Sequence, residues 1–227
     1  MSIDDHARRA TVRNALGIGV ATGAYGLSFG ALSTAAGLSL LQTSALSLLM
    51  FTGASQFAMV TLVGGGGSAL AGAATAVLLG TRNAFYGLRL SRVIGGRGRG
   101  TALAAQFVID ETTAMALAAG SDDAARLAFW ATGLSVFGLW NLGTVIGALG
   151  AQAIPDPKTL GLDAAGPAAF VALLAPRMKG RHTWAVALAA ALVALASVPL
   201  VPPGVPVLLA AVMTVGAGLR LEGRGKG

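Results

Sequence analysis

Cysteine is absent from the 227 residues, so the chain has no disulfide, no thiolate metal site and no thiol redox centre. Histidine is nearly absent. His6 and His182 both fall at or near loop ends, which leaves no histidine inside an apolar run and argues against a histidine-ligated metal enzyme or a Ser-His-Asp grouping. Charged residues make up only 11% of the chain, against roughly a quarter in soluble domains. No phosphate-binding loop of the Walker A kind occurs: the glycine run opening GGGGSA at Gly64 lacks the lysine that would reach a nucleotide's phosphates. Strict period-2 alternation is missing, which excludes a membrane β-barrel. Enzymes, nucleotide-driven machines and cofactor carriers are therefore disfavoured, and no metal or cofactor is expected.

What the chain has instead is apolar length. Hydrophobic residues make up 55% of it, and its mean hydropathy is +0.73. Eight apolar segments follow one another at residues 14–36, 38–63, 68–90, 101–120, 126–150, 161–175, 183–201 and 205–219. Several approach the ~20 residues that a helix needs to cross a hydrocarbon core of about 30 Å. The expected class is all-α: a polytopic helical membrane protein with one transmembrane domain over 14–219, a cytoplasmic segment at 1–13 and a tail at 220–227. Arg8, Arg9 and Arg13 before the first apolar run resemble a signal peptide. That run is long and rich in glycine and is followed at once by more spans, so it reads as a retained first span.

The formal charge is +7. The arginines cluster in short loops beside apolar runs, which reads as membrane topology rather than a nucleic-acid surface. With eight plain crossings and an internal N-terminus, the Arg89–Arg99 cluster would lie outside, against the positive-inside tendency. If the second and sixth segments enter and return on one side, every basic cluster becomes cytoplasmic, and only Arg126, beside Asp122 and Asp123, stays external. Both segments are irregular. The second carries the polar stretch FTGASQF (51–57), and the sixth is short and contains Gly166-Pro167. Thr22-Gly23 with Gly53 and Phe57, and Thr132-Gly133 with Gly166 and Phe170, also form a faint repeat. It suggests inverted units over 14–100 and 124–201 with interrupted or re-entrant helices, a pattern that points to a transporter's midplane site.

Asp110 and Glu111 sit in the middle of the fourth segment, where each ionised carboxylate costs about 2.5–3.5 kcal/mol on insertion scales. As a continuous helix, this segment places Gln106, Asp110 and Thr113 on one face. The two acids fit proton coupling or contact with a substrate ammonium, or alternatively a packing pair with Arg82. Arg82, about 21 Å along the third segment from Ser68 by helical rise, either snorkels, pairs structurally, or serves as counter-ion for an acid or a substrate carboxylate. Gly19, Gly23, Gly26 and Gly30 line one face of the first segment, and Gly143 with Gly147 repeats the pattern in the fifth. Such faces let helices approach closely. Asn141, beside Trp140, fits an interhelical hydrogen bond or a substrate contact.

The motifs SLLMFTGASQFAMVTLV (47–63), RNAFYGLRLS (82–91), DET (110–112), WNLGTVIG (140–147) and PDPKTLGLDAAGPAAFVALLAP (155–176) resemble, in order, those of the AzlC-type branched-chain amino acid permease family. The resemblance implies export of branched-chain amino acids, and in some members methionine, across the bacterial inner membrane. It also implies a second, small membrane subunit of the AzlD type as partner. Where the family pattern reads N-L-R-H, this chain has TRNAFY (81–86) and no histidine. Such a substrate needs an apolar pocket and partners for one carboxylate and one ammonium, which broken-helix ends supply. On this reading Gly53, Ser55 and Gln56 form the polar part of the site and Phe57 and Phe170 its apolar wall. Asp110 or Glu111 couples it to a proton gradient. The alternative reading is a channel-like or scaffold subunit whose small partner carries the specificity.

Overall fold

The computed structural model describes residues 4–94, 98–153, 171, 178–201 and 205–224. Among them there is no strand, and nine helices are formed: α1 (Asp5–Ala35), α2 (Leu40–Met50), α3 (Ala54–Gly64), α4 (Ala69–Ile94), α5 (Arg99–Gln106), α6 (Asp110–Leu117), α7 (Asp122–Gln152), α8 (Arg181–Ser197) and α9 (Val205–Arg224). The all-helical class expected from the sequence is observed. Two of these helices, α1 and α7, are long and apolar enough to cross a membrane. Of the expected sixth segment only residue 171 is described; Gly166-Pro167 and Phe170 lie outside the described residues, as does the Ile154–Lys158 loop.

Helix starts follow local chemistry. Ser39 caps α2 by accepting from the Gln42 amide, and the Gln42 side chain accepts from the Ser39 amide in return, a reciprocal box. Ser121 caps α7, and Asp122 and Asp123 in its first turn complement the positive end of the helix dipole. α1 begins well before the first apolar segment because Asp4 accepts from the His6 amide, so much of the N-terminal segment is helical.

α1 and α7 run parallel and form the central contact. A Cβ added at Gly26 would lie 2.6 Å from the Trp140 carbonyl oxygen, and one at Gly23 would lie 3.0 Å from that of Leu139. Gly19, Gly30, Gly143 and Gly147 meet the facing helix equally closely. The two glycine ridges do bring the backbones together, and no other residue type has room there.

α2 and α3 make a helical hairpin. A Cβ at Gly64 would lie 3.0 Å from Ala36 Cβ, so the end of α3 returns to where α2 set out. α5 and α6 make a second hairpin at the opposite end. α5 starts just after α4, and at the start of α7 the Arg126 Nε donates to the Val93 carbonyl at the end of α4 (2.7 Å). This corrects two expectations. The fourth segment is not one helix but two, so Gln106, Asp110 and Thr113 do not share a helix face. Arg126 lies at the same end as the Arg89–Arg99 cluster, not across from it. The break is accommodated by Thr112, whose Oγ1 donates to the Phe107 carbonyl (2.6 Å) and accepts from the Ile109 amide (3.1 Å), satisfying groups that would otherwise be left bare.

The chain thus forms a helix followed by a hairpin twice, α1–α3 and then α4–α6, the second unit upside down relative to the first. The hairpin tips meet between them. The Gln106 side chain donates to the Leu48 carbonyl at the end of α2 (2.8 Å), and the Phe51 and Phe107 rings stand 6.2 Å apart, edge to face. The breaks match residue for residue: Phe51 and Phe107 follow the first helix of each hairpin, and Gln56 and Thr112 occupy the third position of the second. The inverted relation expected between 14–100 and 124–201 is not borne out by the helices that open them: α1 and α7 run in the same direction, Gly19 facing Ser135 and Gly30 facing Thr144.

Around the rings, Phe29 stacks on Trp140 (5.8 Å) and meets Phe57 edge-on (5.6 Å), while Phe137 meets both Phe51 (4.9 Å) and Phe107 (5.5 Å). Each such pair adds about 0.5–1.5 kcal/mol beyond the area it buries. The exterior is apolar as well: Leu41, Leu49 and Leu70 are each at least 78% exposed.

Candidate functional site

The break in the first hairpin spans Phe51 to Gly53. Gly53 has φ 58° and ψ −90°, a conformation open to glycine and strained for other residues. Phe51 is the one non-glycine residue with positive φ among the described residues (29°), and its ring contacts with Phe107 and Phe137 hold it there. Gln56, fully buried, closes the break. Its Oε1 accepts from the Thr52 (3.2 Å) and Gly53 (3.0 Å) amides, and its Nε2 donates to the Leu46 carbonyl (2.9 Å). A single side chain satisfies three backbone groups, each of which would cost about 1–3 kcal/mol if buried unpaired.

The second break places Asp110 and Glu111 in the first turn of α6, where the helix dipole favours anions. Across from them, Arg82 of α4 pairs with Asp110 (Nη2 to Oδ2, 2.9 Å). The same Nη2 donates to the Thr52 carbonyl at the first break (3.4 Å). Arg82 therefore ties both breaks together and is not a snorkelling residue.

These groups border one cavity of about 130 Å³. Its polar side is formed by Arg82, Asp110, Glu111 and the start of α3 at Thr52, Gly53 and Ala54. Its apolar side is Phe57, Val136 and Trp140, with Thr22 and Tyr25 of α1 at the rim. A cavity of about 150 Å³ accepts benzene, so the space suits a small organic molecule.

Of the residues singled out from the sequence, Gly53, Phe57, Arg82, Asp110 and Glu111 line the cavity together. Gln56 stands behind it as the support of the break. Ser55 is buried and faces α4, where a Cβ at Gly80 would lie 3.7 Å from its hydroxyl. Asn141 does not reach the cavity: its Nδ2 donates to the Phe137 carbonyl one turn back in the same helix (2.8 Å). Its neighbour Trp140 lines the cavity instead. Phe170 lies outside the described residues. Sequence reasoning missed Tyr25, Val136 and Ile109, which carry no signal in an apolar chain. Thr22 stood out only as a repeat marker.

The model of the AzlC protein family matches residues 17–154, more than half of the chain. The chain belongs to the AzlC family. Comparison with the curated proteins and with the solved structures gave no match. The AzlC match runs from within α1 to just past the end of α7, and so contains both hairpins and every cavity residue. AzlC proteins form a membrane-associated, transporter-type family rather than an enzyme family. Among the described residues no cluster of histidine, aspartate and glutamate is suited to a metal.

Proposed function

We propose that this AzlC protein is a secondary transporter that exports branched-chain, aliphatic amino acids across the bacterial inner membrane, driven by the proton gradient. The observation that carries this reading is the cavity. It joins a cationic group, two carboxyl groups, an acid-free helix N-terminus and an aromatic wall at the meeting point of two inverted hairpins. An aliphatic amino acid carries the complementary set: a carboxylate, an ammonium and a branched hydrocarbon. Asp110 or Glu111 supplies the proton-binding group. A small AzlD-type membrane subunit is the proposed partner, and no cofactor is needed.

In this proposal the protein is multi-pass and both hairpins are re-entrant. Broken backbone at membrane depth is tolerated where protein or a watered cavity covers it, as at Phe51–Gly53 and Phe107–Ile109. Charge supports the orientation. The starts of α1 and α7 and the end of α4 share one end of the bundle, which holds Arg8, Arg9, Arg13, Arg92 and Arg126. Val198, Val201, Pro206 and Val207 gather near Leu62 and Gly65 at the other end. Hence α8 starts, and α9 finishes, on the basic side. By the positive-inside tendency that side is cytoplasmic, with both termini.

Topology is testable by labelling. Cysteines replacing Leu38 and Ser68 are expected to react from the outside, and cysteines replacing Gly100 and Gly120 from the inside. Plain crossings of the second and fourth segments would split each pair across the membrane, and that result would discard the hairpins as re-entrant elements.

Function is testable by efflux. Cells loaded with leucine, isoleucine, valine or methionine are expected to lose at least one of them faster when the protein is present with its small partner, and collapse of the proton gradient should abolish the gain. No faster loss of any of the four, with or without the partner, would sink the reading. A substrate-dependent rise in thermal stability of the single chain separates a complete site from a scaffold that leaves recognition to the partner.

A further inference from the structure

We infer that the Arg82–Asp110 ion pair is displaced by substrate: Arg82 leaves Asp110 for the substrate's carboxylate, and the freed Asp110 takes the substrate's ammonium. The inference rests on the transport reading and specifies how the cavity selects its cargo, as a zwitterion with adjacent charges.

The pair is built to be broken. A purely structural arginine–carboxylate pair favours the planar, two-bonded fork. Here Nη2 makes both the contact with Asp110 and the contact with the Thr52 carbonyl, while the buried Nε has no hydrogen-bond partner. The guanidinium thus holds unused donors beside the cavity. The pair is not sealed from that space either: the two side chains are 22% and 28% exposed, and both line the cavity.

The two helix starts differ in a way that gives the site polarity. The α6 start carries Asp110 and Glu111, whereas the α3 start has no acidic residue in its first turn. A carboxylate that takes the Arg82 fork would also lie beside the α3 start, because Arg82 already touches Thr52 there. An ammonium would be drawn to the acidic α6 start, with the hydrocarbon against Phe57, Val136 and Trp140. An organic acid alone would have to take Arg82 from Asp110 and offer Asp110 no cation in exchange. An amine alone would have no group to offer Arg82. Only a molecule bearing both charges offers each member of the pair an opposite charge in place of the other.

Calorimetry on the full chain in lipid nanodiscs tests this with three ligands that share one hydrocarbon: leucine, 4-methylpentanoate and 3-methylbutylamine. The native protein is expected to bind leucine at least tenfold more tightly than either of the others. In Asp110→Asn, affinity for 4-methylpentanoate should rise at least tenfold while that for leucine falls. Arg82→Lys keeps the charge and the pair but lacks the fork. It should lose at least fivefold in leucine affinity, and it serves if Asp110→Asn does not fold. Unchanged acid affinity in Asp110→Asn, or unchanged leucine affinity in Arg82→Lys, would show a structural pair and overturn the inference. If the native protein binds no aliphatic amino acid yet Asp110→Asn gains the acid, the amino-acid reading fails and the displaceable pair stands.

Discussion

Gly30→Leu is expected to abolish the folded protein, whereas Gly17→Leu on the same helix leaves it intact. A Cβ at Gly30 would overlap the Thr144 carbonyl oxygen and crowd the Ala148 amide, both backbone atoms of α7 that no side-chain rotation can move. At Gly17 a Cβ meets nothing within 4 Å. Overpacking costs about 1–3 kcal/mol where side chains can yield, and at Gly30 only the helices can. Moving them apart also separates Thr34 from the Ala148 carbonyl and Phe29 from Trp140, which close the floor of the aromatic cluster beside the cavity. Association within lipid depends on close packing rather than on the hydrophobic effect, so little remains to compensate. Size-exclusion profiles of the fluorescently tagged protein read the result: a sharp peak for Gly30→Leu would show that the glycine face does not set the α1–α7 contact.

The second large effect is functional. Asp110→Asn should remain folded and lose gradient-driven export. The carboxamide keeps the shape and can still accept from Arg82, so the cost to folding stays below the about 3–5 kcal/mol of breaking a fully buried pair. Partial exposure of both partners to the cavity lowers it further. Transport is affected more severely. A hydrogen bond to a charged group contributes about 1.5–3 kcal/mol, so losing the ammonium contact should weaken leucine binding by roughly 10- to 100-fold, and the proton-binding group goes with it. Uphill efflux from vesicles with an imposed proton gradient, alongside binding and thermal stability, separates these consequences. Asp110→Asn that retains full gradient-driven export would remove this residue from the coupling role and leave Glu111 as the candidate.

Much of this was legible in the sequence because apolar length, glycine spacing and out-of-place polar residues are local signals. FTGASQF marked the first break, since glycine and glutamine have no reason to interrupt a plain apolar helix. Arg82, Asp110 and Glu111 stood out by the cost of charge in such surroundings. Gly19 to Gly30 declared a contact face by spacing alone. The second break was illegible: FVIDET contains no glycine or proline, and Ile109 and Thr112 suit a helix as readily as a cap. Only the tip of the other hairpin, with Gln106 held by the Leu48 carbonyl and Phe107 among the aromatic rings, makes that break the better structure.

By itself, then, the sequence determined the helical class, the glycine faces of α1 and α7 and the list of costly polar residues, because each depends on the residues within one stretch. The tertiary structure decided which of those residues meet. It turned the fourth segment back on itself, moved Arg126 to the end of the bundle that carries the other arginines, and set Arg82 2.9 Å from Asp110 and within reach of Thr52. It also replaced Asn141 with Trp140 at the cavity. The physical reason is the same in each case. Where a chain has few polar groups, each must find its partner across the fold, and the partner's distance in sequence carries no trace of that meeting.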